Sequence, residues 1–187
     1  MVNVDDDPIE LVPSRHEAWC ERYRAERERI RTVASANSLG SRLERIEHVG
    51  STAVPRLPAK DIVDLDIVVA DEAVAGVSRT LERELGGSRV ENTEGWHPLF
   101  RRHDGQRFNT HVFGASDDGW KISVVTRDVL RRHPELREEY EQLKRELMEQ
   151  HEDLTAYSRG KTRFIGQVLD TARQNDGQTY AFAVPSV

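Results

Sequence analysis

The sequence predicts an α+β fold in which a mixed sheet is flanked by helices and followed by a helical C-terminal third. Three observations carry this. Ile62 to Ala70 is an apolar run rich in Ile and Val, the clearest strand of the chain. Leu99–His103 and Gln106–Phe113 flank Asp104-Gly105, a strong two-residue hairpin signal. From Thr126 onward the pattern becomes helical, with Pro134 opening one helix to about Gln150 and Leu154 to Arg173 forming another. Strands interleaved with helices, then helices alone, describe one α+β domain over 1–187, with loose ends at about 1–10 and 174–187.

The elements follow in order. Arg15 to about Ala36 is helical, because Trp19, Tyr23, Ile30 and Val33 can share one face. Pro13-Ser14 is a plausible start and Asn37-Ser38-Leu39-Gly40 a plausible stop. Leu43 to Val49 reads as a helix end or a strand, and runs into the turn Gly50-Ser51-Thr52. Glu72 to Leu85 is a helix closed by Gly86-Gly87, and Arg89 to Glu91 is a candidate strand. Residues 120–125 suit either a strand or the entry to a helix. The tail TYAFAVPSV is either disordered or docked on a neighbour.

Composition bounds the function. The chain has 187 residues, 37% apolar and 32% charged, enough for one domain with a real core. A net charge of −6 argues against a duplex nucleic-acid partner, which calls for a basic face. The single Cys20 cannot form an internal disulfide, no apolar stretch approaches a membrane span, and MVNVDDD lacks a signal-peptide pattern. The expectation is a soluble cytoplasmic protein without a membrane partner. Only 4 of the 27 cations are Lys, which reads as a GC-rich or salt-adapted host. Oligomeric state leaves no signal in the chain.

The chemistry concentrates in EHVGSTAVPRLPAKDIVDLDIVVA, residues 47–70. Asp64 and Asp66 are two apart, so on a strand they point to one side. Two carboxylates on an apolar strand are costly near a core unless something positive neutralises them, and a divalent metal is the candidate. Upstream, Gly50, Ser51 and Thr52 form a tight turn whose backbone donors suit phosphate oxygens. Phosphoryl transfer from a nucleoside triphosphate needs both parts, with Mg²⁺ on the carboxylates. Gly-Ser followed by Asp-x-Asp on a strand is the pattern of the nucleotidyltransferase fold. The competing reading is a sheet edge whose aspartates face solvent. No Gly-Lys-Ser/Thr follows Gly50, so a P-loop kinase is excluded.

The run IEHVGSTAVPRLPAKDIVDLDIVV resembles the GrpB family, a branch of the nucleotidyltransferase superfamily. The resemblance continues in TRDVLRRHPELREEYEQLKREL and AYSRGKTRFI and spans about Val12 to Ala172. The chain departs from the family pattern at Arg56 (usually Gly), Asp61 (usually Pro) and Thr126 (usually Phe). The resemblance implies a nucleotidyltransferase-like sheet carrying Asp64 and Asp66 over a cleft. It also implies a Mg²⁺-dependent transfer from a nucleoside triphosphate to an unidentified acceptor. Some members are fused to a dephospho-coenzyme A kinase, which implies an accessory, non-catalytic nucleotide-binding role as the alternative.

The resemblance also implies a third carboxylate on a later strand, as metal ligand or base, and the candidate strand Gln106 to Phe113 offers none. It alternates Arg107, Asn109 and His111 on one face with Phe108, Thr110 and Val112 on the other. His111 would complete a metal shell or act as base, or is simply a hydrogen-bonded sheet histidine. Lys60 and Arg107 would balance charge. Asp61, three before Asp64, falls on the opposite strand face and is not expected to be a ligand. His48 is expected to fix the Gly-Ser turn. Tyr140 with Lys144, and Tyr157 with Lys161, are i,i+4 pairs. They either line the cleft, with a ring under a base and ammonium groups at phosphates, or are helix-packing tyrosines with lysines snorkelling over them.

Overall fold

The computed structural model describes residues 10–90, 95–150, 157, 159–174 and 179–186. The first nine residues of the expected loose N-terminus, Glu91, and Leu154, Thr155, Ala156 and Ser158 of the last expected helix lie outside them. The described elements, in order, are α1 (His16–Ala36), β1 (Leu43–Val49), β2 (Ile62–Val69), α2 (Val74–Leu85), β3 (Ser88–Arg89), β4 (Trp96–His103), β5 (Gln106–Gly114), α3 (Gly119–Arg132), α4 (Pro134–Gln150) and α5 (Thr162–Arg173). Leu43–Val49 resolves as strand, and 120–125 as helix. No described helix is long and apolar enough to cross a membrane.

The five strands form one mixed sheet in the order β1-β2-β5-β4-β3. β1 runs antiparallel to β2, β2 parallel to β5, and β5 antiparallel to β4. The hairpin forms as its turn chemistry demands: Asp104 and Gly105 both take positive φ, 47° and 73°, and His103 pairs with Gln106. α2 ends where Gly86 adopts φ 73° and its N–H caps Glu82.

Strand alternation sorts the side chains. Val63, Leu65, Ile67 and Val69 face α1 and α2, meeting Trp19, Ile30, Val74, Val77 and Leu81 in the main core. The opposite face of β2 carries Asp64, Asp66 and Val68. Val68 joins Phe113, Trp120 and Val124 under α3. A second large core, built on Val125, Val129, Leu136, Phe164 and Val168, binds α3, α4 and α5 to the loop residues Val54 and Leu57. The C-terminal stretch expected to be loose packs here over its described part. Tyr180, Phe182 and Val184 lie on these helices, with Phe182 edge-on to Trp120 at 4.9 Å. Aromatic and branched side chains at alternate positions give that segment an apolar face to bury.

One buried ion pair ties α1 to the sheet. Glu26 and Arg101 are 0% and 2% exposed at their side chains, with Arg101 Nε 3.1 Å from Glu26 Oε1. Arg29 Nη2 completes the cluster at 2.8 Å from Oε2. Removing one partner of such a pair strands the other charge, whereas replacing both with apolar groups is often tolerated. Glu26→Gln is expected to lower unfolding free energy by about 3 kcal/mol in urea titration. The double replacement Glu26→Leu with Arg101→Met should recover most of that loss.

Candidate functional site

The sheet register assembles the site. Across the parallel ladder Asp64 pairs with Asn109 and Asp66 with His111. Asn109 then faces Phe100, His111 faces Pro98 and Phe113 faces Trp96 on β4. Paired residues point to the same face, so Asp64-Asn109-Phe100 and Asp66-His111-Pro98 form two parallel rows.

The Gly50-Ser51 turn closes over the first row. Gly50 takes φ 69°, and a Cβ there would collide with the Asp64 carboxylate, so glycine alone lets the backbone come this close. The turn is held from behind. His48 Nε2 lies 3.1 Å from Thr52 Oγ1, and the ring stacks on Tyr23 at 4.8 Å. Burial, then the electrostatic influence of His16 and Arg131, pushes the His48 pKa down to about 3, so it acts as a neutral strut. Arg127 donates to Glu47 Oε2 at 2.8 Å and to the His48 carbonyl at 3.0 Å. Arg131 donates twice to the Ala53 carbonyl, at 2.9 and 2.8 Å. Asp61 accepts from Trp19 Nε1 at 2.8 Å and pairs with Arg22, so it anchors α1 rather than joining the acid pair.

The two carboxylates differ. Asp64 is partly buried, and its Oδ1 accepts from Asn109 Nδ2 at 3.2 Å. Asp66 is 0% exposed, and neither oxygen has a well-formed hydrogen bond. His111 Nδ1 stands 3.5 Å from Asp66 Oδ1. Burial raises the pKa of both acids, against the pull of His111 on each. Burial alone would lower that of His111, but Asp66 and Asp64 outweigh it and the net direction is upward. Among the described residues no group of three His, Cys, Asp or Glu side chains is arranged to hold a metal. Asp64, which lines the cavity, fits a cation that takes its remaining ligands from phosphate and water, as Mg²⁺ does, with Asp66 buried beneath it as the second carboxylate. The Asp66 oxygens, with no well-formed hydrogen bond among the described residues and with His111 beside them, are the observation that supports this.

A cavity of about 630 Å³ opens above Asp64, Asn109 and His111. Gly50, Ser51 and Thr52 form its turn wall, and Lys60, Lys144 and Lys161 line it with Tyr140 and Tyr157. Lys144 is 1% exposed; its Nζ donates to the Pro58 carbonyl and to Ser51 Oγ at 3.4 Å. It lies 5.2 Å from the Tyr140 ring centroid. Lys161 Nζ stands 4.0 Å from the Tyr157 centroid, and Lys60 Nζ 5.6 Å from the same ring. Burial, then repulsion from a neighbouring ammonium, pushes Lys144 and Lys161 down to about 7. The repelling neighbour is Lys161 for Lys144, and Lys60 for Lys161.

The structure combines both readings of the Tyr-Lys pairs. Tyr140 stacks on Phe164 at 5.0 Å and Tyr157 is 1% exposed, so both rings are packing groups. The lysines covering them nonetheless reach the cavity. Arg107 is not brought in: it sits two residues before Asn109, opposite Ile62, outside the cavity lining. Asp66 lies beneath the floor rather than on it.

Sequence reasoning passed over Asn109, Trp96, Phe100 and Arg159, all of which line the cavity. A signal existed for three of them. A two-residue turn at Asp104-Gly105 dictates which β4 residue faces which β5 residue, and so places Phe100 beside Asn109 and Trp96 beside Phe113. The scarcity of lysine was a second signal, since three of the four lysines converge here.

Fold and site together define an α+β domain with paired strand carboxylates under a lysine-lined cavity. The chain belongs to the GrpB protein family, whose profile matches residues 8–171. It is 33% identical over 181 residues to the UPF0157 protein PA4798 of Pseudomonas aeruginosa, covering 91% of this chain and 70% of that protein. It is 29% identical over 162 residues to the UPF0157 protein YqkA of Bacillus subtilis, covering 85% of this chain. It spans only 46% of the length of YqkA. The crystal structure of the conserved protein GrpB from Enterococcus faecalis shares the fold, with a TM-score of 0.72 at 24% identity, over 90% of this chain and 100% of that one.

Two outcomes are expected. Gly50→Ala should destabilise by roughly 1–3 kcal/mol, read by chemical denaturation, because the turn cannot retreat from Asp64. The lysines make stability pH-dependent. Their folded pKa near 7 lies below the ordinary 10.5, so between those values the unfolded chain binds more protons and stability rises with pH. Lys144→Met should flatten that rise, seen as a smaller gain in melting temperature between pH 7 and pH 10.

Proposed function

We propose that this chain binds a nucleoside triphosphate with Mg²⁺ in the cavity and transfers a nucleotidyl group to an acceptor. The observation that carries the reading is the juxtaposition of Asp64 and Asp66, whose oxygens have no well-formed hydrogen bond among the described residues and His111 beside them, with three inward lysines around one glycine-serine turn. A divalent cation with a polyphosphate matches that double set of charges. Bound at Asp64 and Asp66, Mg²⁺ would supply charge neutralisation at the reacting phosphoryl group.

The chain's own residues divide the remaining work. Gly50 and Ser51 present the turn to phosphate oxygens, and Lys60, Lys144 and Lys161 take up negative charge, most of all on a departing pyrophosphate. The acceptor hydroxyl attacks the α-phosphorus as the bond to the bridging oxygen of the β-phosphate breaks. Its proton goes to His111. Asp66 beside the ring, and Asp64 beyond it, stabilise the imidazolium that forms.

One observation favours a second reading, a nucleotide-binding module without transfer. An imidazole paired with Asp66 stands on β5, where a third carboxylate is expected. Calorimetric titration with ATP, GTP, CTP and UTP, with and without Mg²⁺, tests both. Magnesium-dependent binding lost in Asp64→Asn is the expected result. Pyrophosphate release on adding acceptor extracts separates transfer from mere binding. Asp64→Asn binding as well as the parent protein would remove the acid pair from the account.

A further inference from the structure

We propose that Trp96, with Phe100, is the platform on which the nucleobase stacks. This deepens the reading of the cavity as a nucleoside triphosphate site and rests on it. The cavity has two unlike ends. At the loop end, Lys144 donates to Ser51 and Pro58, and Lys60 and Lys161 both stand over the Tyr157 ring. At the other end the wall is β4, which contributes Trp96 and Phe100. Phe100 stands in the same row as Asp64, two strands away through Asn109, or about 10 Å at the usual strand spacing. A molecule with a polyanionic tail on the lysines and a phosphoryl group at Asp64 extends towards this wall. A nucleoside beyond its α-phosphate has that order of reach and ends in a planar ring.

The tyrosines cannot fill this role. Tyr140 is stacked on Phe164 with Lys144 above it, and Tyr157 is buried under Lys161 and Lys60. Trp96 and Phe100, by contrast, are only partly buried where they line the cavity. Trp96 is held in place by its neighbours. It stacks on Phe113 at 5.8 Å with 8° between planes, and His111 meets it edge-on at 5.7 Å. Its indole N–H has no hydrogen-bond partner among the described residues. A planar group on the acceptor offers the same stacking chemistry, so the test uses nucleotides with no acceptor present.

Trp96 is its own reporter, because Trp19 and Trp120 are 0% and 6% exposed. The full chain is titrated with inorganic tripolyphosphate and, separately, with ATP, GTP, CTP and UTP, following tryptophan emission and heat. Nucleotides should quench emission, while tripolyphosphate binds without doing so. Trp96→Leu should abolish the quench and weaken nucleotide binding about tenfold, within the range of one base-aromatic stack, leaving tripolyphosphate affinity unchanged. Trp96→Phe should keep most of the nucleotide affinity, and the melting temperatures of both variants establish that they fold. If Trp96→Leu weakens neither ligand, or weakens both equally, the platform is overturned while the polyphosphate site stands. If the folded parent protein binds neither tripolyphosphate nor nucleotide, the site reading falls and the platform with it.

Discussion

The structure turns on two carboxylates carried by an interior strand. Asp64 and Asp66 belong to β2, which has neighbours on both sides and helices on both faces. Taking charge out of water costs several kcal/mol per ion unless partners replace the solvent. Asn109 and His111 supply part of that replacement from β5, and the lysines part of it from the loop and the C-terminal helices. None of these partners completes it. Both acids are pushed up by burial, and two lysines are pushed down. Each group leans towards its neutral form for want of a counter-charge. On the proposed reading, a divalent cation would relieve the acids and a polyanion the lysines, so one ligand carrying both would answer the two strains together.

That arrangement needs a rigid frame, and much of the polar bonding nearby provides it. The neutral His48, Arg127 and Arg131 bind the Gly50-Ser51 turn through ring stacking and backbone carbonyls. Asp61 ties the following loop to α1. The cavity lies at the seam between two cores. The sheet with α1 and α2 supplies the acids, and the α3–α5 core supplies Lys144 with Tyr140 beneath it. A binding site at such a seam is sensitive to how the two cores sit together. Hence polar clamps between them, such as Arg127 reaching from α3 to Glu47 on β1, matter beyond their individual strength.

The cation usage acquires a physical reason here. Arginine carries nearly all the positive charge of the chain, and serves the surface pairs and carbonyl clamps where its fixed fork is useful. Lysine is kept for the cavity in three of its four positions. Its ammonium is compact, fits against a tyrosine face, and gives up its proton when buried, none of which a guanidinium does as readily. The composition that reads as a trait of the host is thus also a marker of the site.

Much of this was legible in the chain alone, and the limit has a clear cause. Local pattern set the strand Ile62–Val69, the Asp104-Gly105 hairpin, the helical C-terminal third and the placing of Asp64 and Asp66 on one face, because alternation, turn preference and helical period act over a few residues. The same reasoning foresaw His48 as the support of the turn and Asp61 as a bystander to the acid pair. Long-range partners were another matter. Whether β2 pairs with β5, and in which register, decides that His111 meets Asp66 and that Arg107 falls outside the cavity. Packing on Phe164 decides that Tyr140 supports a lysine and is not itself a stacking surface. The sequence by itself determined that Asp64, Asp66 and the Gly50-Ser51 turn lie in one short segment and that the acids share a strand face. Only the tertiary structure decided which of them face one another, because burial, like-charge repulsion and close backbone approach arise when distant segments share one low-dielectric space.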